Sequence, residues 1–380
     1  MEPSPLMNLF IISHGFQVHY TLGFTNGVAS DGINPTLVHS SNLQPSSLEP
    51  NIRSVDFGQN LGNEKSLAEK VSNFLRYNFL LFARTLGFRR KIVHIIGLFP
   101  NEWINGILQG FWFRLFNKKY LLTVHNLLPH EHHTLYKWCL YWIIYRIPSR
   151  LIVHTDKMKQ DLVEQYGISD RHIMVVEHGI NDEVPITSLT KDESRKVLGL
   201  DTIQPQPIVL LFFGRISPYK GLDKLIEAFG KLDQRFHLVI AGRAKTEYAK
   251  VIDAAIEACP TKSRISYFND WIEDDEIERF FKAADYLILP YKHIDQSGVI
   301  FLSFKFGLPI IATDVGSVKN YIGDIAGITV PSCDPDQLAK SIMESASSNK
   351  FDSEQIKTYS HKFDWKNTLK PLLRYYNDHG

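Results

Sequence analysis

Cysteine is scarce in this chain. The 380 residues contain three, Cys139, Cys259 and Cys333. They are far apart, odd in number and without metal-ligand spacing, so neither a disulfide framework nor a thiolate zinc site is expected, and a reducing cytoplasm is. Long apolar runs are also missing. The longest, from Trp138 to Ile147, is broken by Tyr145 and Arg146 and stopped by Pro148. It falls short of the roughly 20 residues a spanning helix needs, so no transmembrane segment is expected. The opening MEPSPLMNLFIISHG has no basic segment ahead of its short apolar run, which reads as a first strand rather than a signal peptide. No GxGxxG turn follows that strand and no acid ends the second, which excludes an oxidoreductase of two dinucleotide-binding domains.

Net charge is nearly absent, at +1, but it is segregated. From Arg76 to Arg150 there are eleven Lys or Arg against two acids, Glu102 and Glu131, a balance of +9 that leaves −8 for the rest. In NFLLFARTLGFRRK and GFWFRLFNKKY, Phe, Trp and Leu alternate with Arg and Lys at spacings that suit amphipathic helices. Two readings stand side by side. Either the aromatics are core and the cations a solvated face, or region 76–150 makes peripheral contact with the inner face of an anionic membrane. Nucleic acid is not an expected partner, because no recognised binding module accompanies the charge.

The length exceeds what one core usually organises, so two domains of roughly 180 residues are expected. With 44% hydrophobic and 22% charged residues, the composition is that of a globular protein. NLFIIS, TLVHS, KIVHIIG, YLLTVHN, RLIVHT and HIMVVEHG are short apolar runs separated by helical stretches, one of them from Lys65 to Gly87. Parallel strands buried on both faces look like this. The pattern restarts with PIVLLFFG, FHLVIAG, RISYFND, YLILPY, PIIATDVG and AGITVP. The fold class is therefore α/β with two facing Rossmann-like domains. An N-terminal domain is placed at 1–183, a polar, proline-containing linker at 184–206, a C-terminal domain at 207–362 and a final helix at 363–380, packing back toward the first domain.

In open α/β sheets ligands sit at the carboxyl ends of strands, so the loops there hold the candidate residues. In FFGRISPYKG, Gly214 permits a tight turn, Arg215 offers a fixed fork of donors and Lys220 a mobile charge, a pair that suits a diphosphate. After YLILPY, a helix beginning near Ser297, Gly298 and Val299 presents free amides and a positive dipole end to an anion.

GRISPYKG, the YFNDWIEDDEIERFFKAADYLILPY segment some fifty residues on, and SGVIFLSFKFGLPIIATDVGS together resemble the retaining glycosyltransferases of family 4, glycosyl transferases group 1, which have the GT-B fold. The resemblance covers essentially all of the second domain; in the first it rests on TVHNLLPHE and VVEHGI. It implies that Gly214, Arg215, Lys220 and the helix start at Ser297, Gly298 and Val299 hold the diphosphate of a nucleotide-sugar donor. It implies too that Asn269, Trp271 and Ile272 lie against the base and ribose, and that His125 points into the cleft near the transferred sugar. Two family glutamates, eight positions apart, are replaced by Ile294 and Leu302. Asp295 or Gln296 is the expected substitute at the donor sugar.

The activity implied is retaining transfer of a hexose-type sugar, from a UDP-sugar first and GDP-mannose second. The acceptor would be a glycan or lipid-linked molecule of cell-surface polysaccharide or glycolipid synthesis. Family members of this type need no divalent metal, and the absence of Asp-x-Asp after a strand fits; no cofactor and no metal are expected. The histidines of TVHNLLPHEHH, namely His125, His130, His132 and His133, are accordingly not read as metal ligands. The loop HGFQVHYTLGFTNGVASDG, with His14, Gly15 and Phe16, lies where acceptors enter in the family. The alternative reading, motivated by Leu302, is a catalytically degenerate scaffold that binds nucleotide or carbohydrate. A cytoplasmic location follows, peripheral at the inner membrane face if region 76–150 binds lipid.

Overall fold

Short apolar runs rich in Val, Ile and Leu become parallel strands here because helices cover them on both faces. The computed structural model describes residues 8–14, 17–39, 47–57, 66–86, 91–98, 102–127, 134–180, 184–294, 297–348 and 350–380. Its chain forms two compact units, Met1–Gly179 with Phe363–Gly380, and Ile180–Lys362.

The first unit holds β1 (Leu9–Ile12), β2 (Thr36–His39), β3 (Arg53–Asp56), β4 (Ile92–Ile95), β5 (Lys119–Thr123), β6 (Arg150–Val153) and β7 (Ile173–Val175). All pairings are parallel, in the order β3-β2-β1-β4-β5-β6-β7. The edge strand β3 is not evident in the sequence. Its four residues, RSVD, hold a single apolar side chain and none is buried. Five helices pack on this sheet: α1 (Val18–Ala29), α2 (Leu67–Thr85), α3 (Gln109–Phe116), α4 (Leu135–Ile144) and α5 (Asp156–Tyr166). A π-helical segment, Glu102–Leu108, runs into α3. Ser66 and Glu69 close a reciprocal cap that starts α2.

The stretch taken from sequence as an acceptor loop is largely helix, since α1 occupies Val18–Ala29. Gly23 and Gly27, poor helix formers, hide it in the sequence. Their purpose is packing: a Cβ on Gly23 would lie 2.3 Å from Trp365 Nε1, and one on Gly27 2.7 Å from Trp365 Cβ. Trp365, Leu369, Leu372, Leu373 and Tyr376 share the core of α1 and β1, so the tail is built into the first unit.

The second unit holds α6 (Lys191–Val197), β8 (Ile208–Phe213), α7 (Leu222–Phe229), β9 (Phe236–Ala241), α8 (Thr246–Ala258), β10 (Ile265–Phe268), α9 (Asp274–Ala283) and β11 (Tyr286–Leu289). It continues with α10 (Gly298–Phe306), β12 (Ile310–Thr313), α11 (Val318–Ile322), β13 (Gly327–Val330), α12 (Pro335–Ser348) and α13 (Ser353–Ser360). The tail of the first unit forms α14 (Trp365–Thr368) and α15 (Lys370–His379). The second sheet is parallel in the order β10-β9-β8-β11-β12-β13. Segment 184–206, read from sequence as a linker, is fastened to this unit. Thr187 donates through its amide and hydroxyl to Glu278 at 2.7 and 2.8 Å, and Arg195 pairs with Asp285 at 2.8 Å. Among the described residues no helix is long and apolar enough to cross a membrane.

Candidate functional site

In the second sheet the chain moves outward from β8 to β9 and β10, then returns to β8's other side with β11. The loops after β8 and β11 therefore diverge at a topological switch point, where open α/β sheets bind ligands. Gly214 follows β8 with φ +98°, a conformation that favours glycine. A Cβ there would lie 3.2 Å from Lys220 Nζ and 3.5 Å from Val299 Cγ2. The structure thus brings Gly214, Lys220 and Val299 to one point.

Lys220 closes a single 3₁₀ turn, Pro218–Lys220, and Gly221 turns the chain into α7 with φ +69°. A side chain on Gly221 would strike the Pro290 carbonyl at 1.9 Å, so the two loops touch backbone to backbone. They are laced further along: Lys292 N–H donates to Tyr219 O at 2.8 Å, and Lys292 Nζ pairs with Asp223 at 2.9 Å. The Lys220 ammonium is buried and lies 5.8 Å from the centre of the Tyr291 ring. Burial first, and the Arg215 charge second, bring its pKa from the ordinary 10.5 down to about 8. Arg215 is exposed beside it. Neither cation pairs with a carboxylate among the described residues, so both charges are available to an anion.

Ser297 precedes α10 but does not cap it. Its hydroxyl is instead hydrogen-bonded to Tyr291 at 2.9 Å. Among the described residues the amides of Gly298 and Val299 have no acceptor, so they add two donors and the positive end of the helix dipole to the two cations. Asn269 Oδ1 accepts from the Ala244 amide at 3.0 Å, tying the loop after β10 to the loop after β9. Trp271 is exposed and Ile272 half-buried nearby in sequence. Asp295 and Gln296 lie outside the described residues. Leu302 is half-buried on α10 and Ile294 half-buried ahead of it.

In the first unit His125 lies just beyond β5, half-buried, with its Nε2–H donating to the Ile96 carbonyl at 2.8 Å. The Tyr20 ring meets it edge-on at 4.5 Å, and His154 lies 5.0 Å away. His154 donates from Nδ1 to Val176 O at 2.8 Å, and His178 from Nδ1 to Gly179 O at 2.6 Å. His94 joins Thr123 at 2.8 Å and Tyr376 at 2.5 Å. Burial, followed by the neighbouring His154, holds His125 well below the usual imidazole range. Burial takes His94 and His178 to about 3 and His154 to about 4. All four imidazoles are therefore neutral near pH 7. In the sequence, TVHN, IVHT and VEHG end three successive strands with histidine, a pattern that could have placed His154 and His178 beside His125.

His14 has φ +50° and is buried, its Nδ1 joined to the Tyr77 hydroxyl at 2.8 Å. Burial lowers its pKa to about 3, with Gln109 opposing. Its imidazole packs against α2 through Tyr77. Gly15 and Phe16, like His130, His132 and His133, lie outside the described residues. Among those described, no group of three His, Cys, Asp or Glu side chains could hold a metal ion.

The family described as Glycosyl transferases group 1 matches residues 190–362, and Glycosyltransferase Family 4 matches 17–184. The D-inositol 3-phosphate glycosyltransferase of Xylanimonas cellulosilytica is 27% identical over 194 residues, 49% of this chain and 45% of that one. The mannosylfructose-phosphate synthase of Agrobacterium fabrum is 24% identical over 187 residues, 46% of this chain and 40% of that one. The chain spans about half the length of the relatives it matches in sequence. Among solved structures, Anabaena HepE in complex with UDP and glucose superposes with TM-score 0.75 at 15% identity, covering 98% of this chain and 99% of that one. Sucrose-phosphate synthase from Thermosynechococcus elongatus gives 0.72 at 15% identity over 98% of each. At such identities these two likenesses concern the GT-B fold.

Proposed function

This chain belongs to the glycosyl transferases group 1 of glycosyltransferase family 4, and we propose that it moves a hexose from a UDP-sugar to an acceptor hydroxyl with retention of configuration. The observation that carries the proposal is the meeting of Lys220, Gly214 and Val299 at the switch point of the second sheet. The solved relative that holds UDP and glucose supports a UDP-sugar donor, with GDP-mannose as second choice. The acceptor is a glycan or a lipid-linked molecule of cell-surface polysaccharide or glycolipid synthesis.

Cleaving the bond from the anomeric carbon to the diphosphate oxygen leaves negative charge on that oxygen. Arg215, Lys220 and the amides of Gly298 and Val299 are in place before the charge develops, so they stabilise the transition state more than the ground state. Each such donor contributes on the order of 3 kcal/mol. No divalent ion and no cofactor is needed in this account, because the two cations take the ion's part. The acceptor hydroxyl attacks on the face the leaving group departs from and gives its proton to a phosphate oxygen. His125, neutral and donating from Nε2 to Ile96, is not the base. Its role, taken from the family resemblance, is to meet the transferred sugar. Ser297 holds the helix start, and Trp271 and Ile272 supply apolar surface to the base. Asp295 and Gln296 are assigned to the donor sugar in place of the family carboxylates, and His14, Gly15 and Phe16 to the acceptor side.

Leu302 and Ile294 favour a second reading, a scaffold that binds nucleotide without transfer. Incubation with labelled UDP-glucose, UDP-galactose and GDP-mannose in EDTA, with glycan and lipid-linked acceptors supplied, separates the two. Release of nucleoside diphosphate, with an α-linked product by proton NMR, supports transfer. Tight nucleotide binding with no release over hours identifies the scaffold.

A further inference from the structure

Helices α2, α3 and α4 of the first unit each carry an apolar stripe exposed to solvent. On α2, Val71, Leu75 and Phe79 recur every fourth residue, with Phe79 72% exposed. Phe111 and Leu115 do the same on α3, and Leu135, Trp138 and Trp142 follow helical spacing on α4, with Leu135 78% exposed.

The stripes belong to one layer. Gln109 Nε2 donates to Asn78 at 2.9 Å and the Phe82 and Trp112 rings lie 4.9 Å apart, joining α2 to α3. Lys137 pairs with Glu102, and Tyr141 donates to Glu102 at 3.1 Å, joining the π-helical segment to α4. That pairing neutralises the acid within the layer. Exposed cations remain: Arg76 and Arg84 on α2, Arg114 on α3, Lys118 after it and Arg146 after α4.

Beside the stripes is a cavity of about 530 Å³ whose lining includes Arg114, Lys119, Arg146 and His172 but no carboxylate. Arg146 stacks 3.6 Å from the Trp142 ring and donates to the Trp142 and Tyr166 carbonyls at 2.9 and 2.6 Å. Its position is thereby fixed, and it links the cavity to the apolar stripe of α4. Among the described residues none of Arg114, Lys119 and Arg146 makes an ion pair.

We propose that this face docks on an anionic lipid bilayer, with the aromatic stripes in the headgroup boundary and the basic cavity receiving a lipid phosphate. A bilayer offers apolar and anionic surface together, and amphipathic helices with cations and Trp or Phe on one side enter it to a depth of roughly 5–10 Å. A second copy is a poorer fit. An isologous contact would set the Arg114 and Arg146 cations of two chains against each other with no acid to separate them.

Docking is independent of the transfer reaction, so its test uses no sugar nucleotide. The full chain is sedimented with phosphatidylcholine vesicles and with vesicles of 70% phosphatidylcholine and 30% phosphatidylglycerol, at 50 and 500 mM salt. Thermal unfolding and light scattering are recorded alongside. Binding to the anionic vesicles should exceed binding to the neutral ones by at least tenfold and fall at high salt. Leu75→Ser with Phe79→Ser and Trp142→Ser should reduce it at least tenfold. Arg114→Gln with Arg146→Gln should reduce it about fivefold per cation removed. Both variants should keep the wild-type unfolding temperature to within a few degrees. The proposal is overturned if the wild type binds no anionic vesicle, or if neither variant changes binding. It is also overturned if light scattering shows a dimer that the apolar variant dissolves while vesicle binding is absent.

Discussion

Tyr291 and Ser297 join hydroxyls in a buried hydrogen bond of 2.9 Å. Tyr291 is also the ring beneath the Lys220 ammonium, so one side chain sets the floor of the cation and the start of α10. Tyr291→Phe keeps the ring and removes the bond, whose net worth is about 1 kcal/mol. UDP affinity by titration calorimetry should fall about fivefold. An unchanged affinity would show that the helix start is held by other means.

Lys220 predicts a pH dependence. Its pKa of about 8 in the free site lies below the ordinary value, so the ammonium loses its proton as pH rises through 8. Only the charged form attracts the diphosphate, and affinity should therefore be flat below pH 7 and fall about tenfold per unit above pH 8. Calorimetry from pH 6.5 to 9.5 measures this. In Lys220→Met the decline should vanish along with most of the affinity.

The histidines predict behaviour in acid. His14, His94, His154 and His178 have folded-state values of about 3 to 4, below the ordinary 6.5. Because the unfolded chain binds the protons first, their contribution to stability is complete above pH 6.5 and is lost as pH falls toward 4. Unfolding temperature should drop steadily between pH 7 and pH 4. His154→Gln should flatten that drop, and an equal slope in wild type and variant would remove His154 from the account.

Gly214→Ala probes the meeting point directly. The residue has φ +98°, and the new Cβ would lie 3.2 Å from Lys220 Nζ. Strain of about 1–2 kcal/mol is expected from the backbone alone. UDP binding should weaken at least tenfold with far-UV circular dichroism unchanged. Retention of full affinity would separate Gly214 from the site.

Much of this was legible in the sequence, for physical reasons. PIVLLFFG and FHLVIAG announce fully buried strands because a parallel sheet covered on both faces leaves little room for polar residues. Gly214, Arg215 and Lys220 stand out in the sequence because glycine and cations at a strand end suit an anion, and the fold brings Gly214 and Lys220 together. What escaped depends on partners distant in sequence. Helix α1 resembles a loop until Trp365, from the tail, fills the groove that Gly23 and Gly27 leave open. Strand β3 is an exposed edge and carries little apolar signal. Tyr291 follows a strand as an ordinary core aromatic, and its bond to Ser297 becomes visible only when the loop returns. The bond that Asn269 accepts from the Ala244 amide joins residues 25 positions apart and is likewise invisible in the sequence.

Whether Arg215 and Lys220 hold a nucleoside diphosphate is decided by a thermal-shift titration with UDP, GDP, ADP and dTDP in EDTA. UDP should raise the unfolding temperature of the wild-type chain, and the shift should disappear in both Arg215→Ala and Lys220→Ala. Stabilisation that persists in both variants, or no response of the wild type to any of the four nucleotides, would contradict that binding.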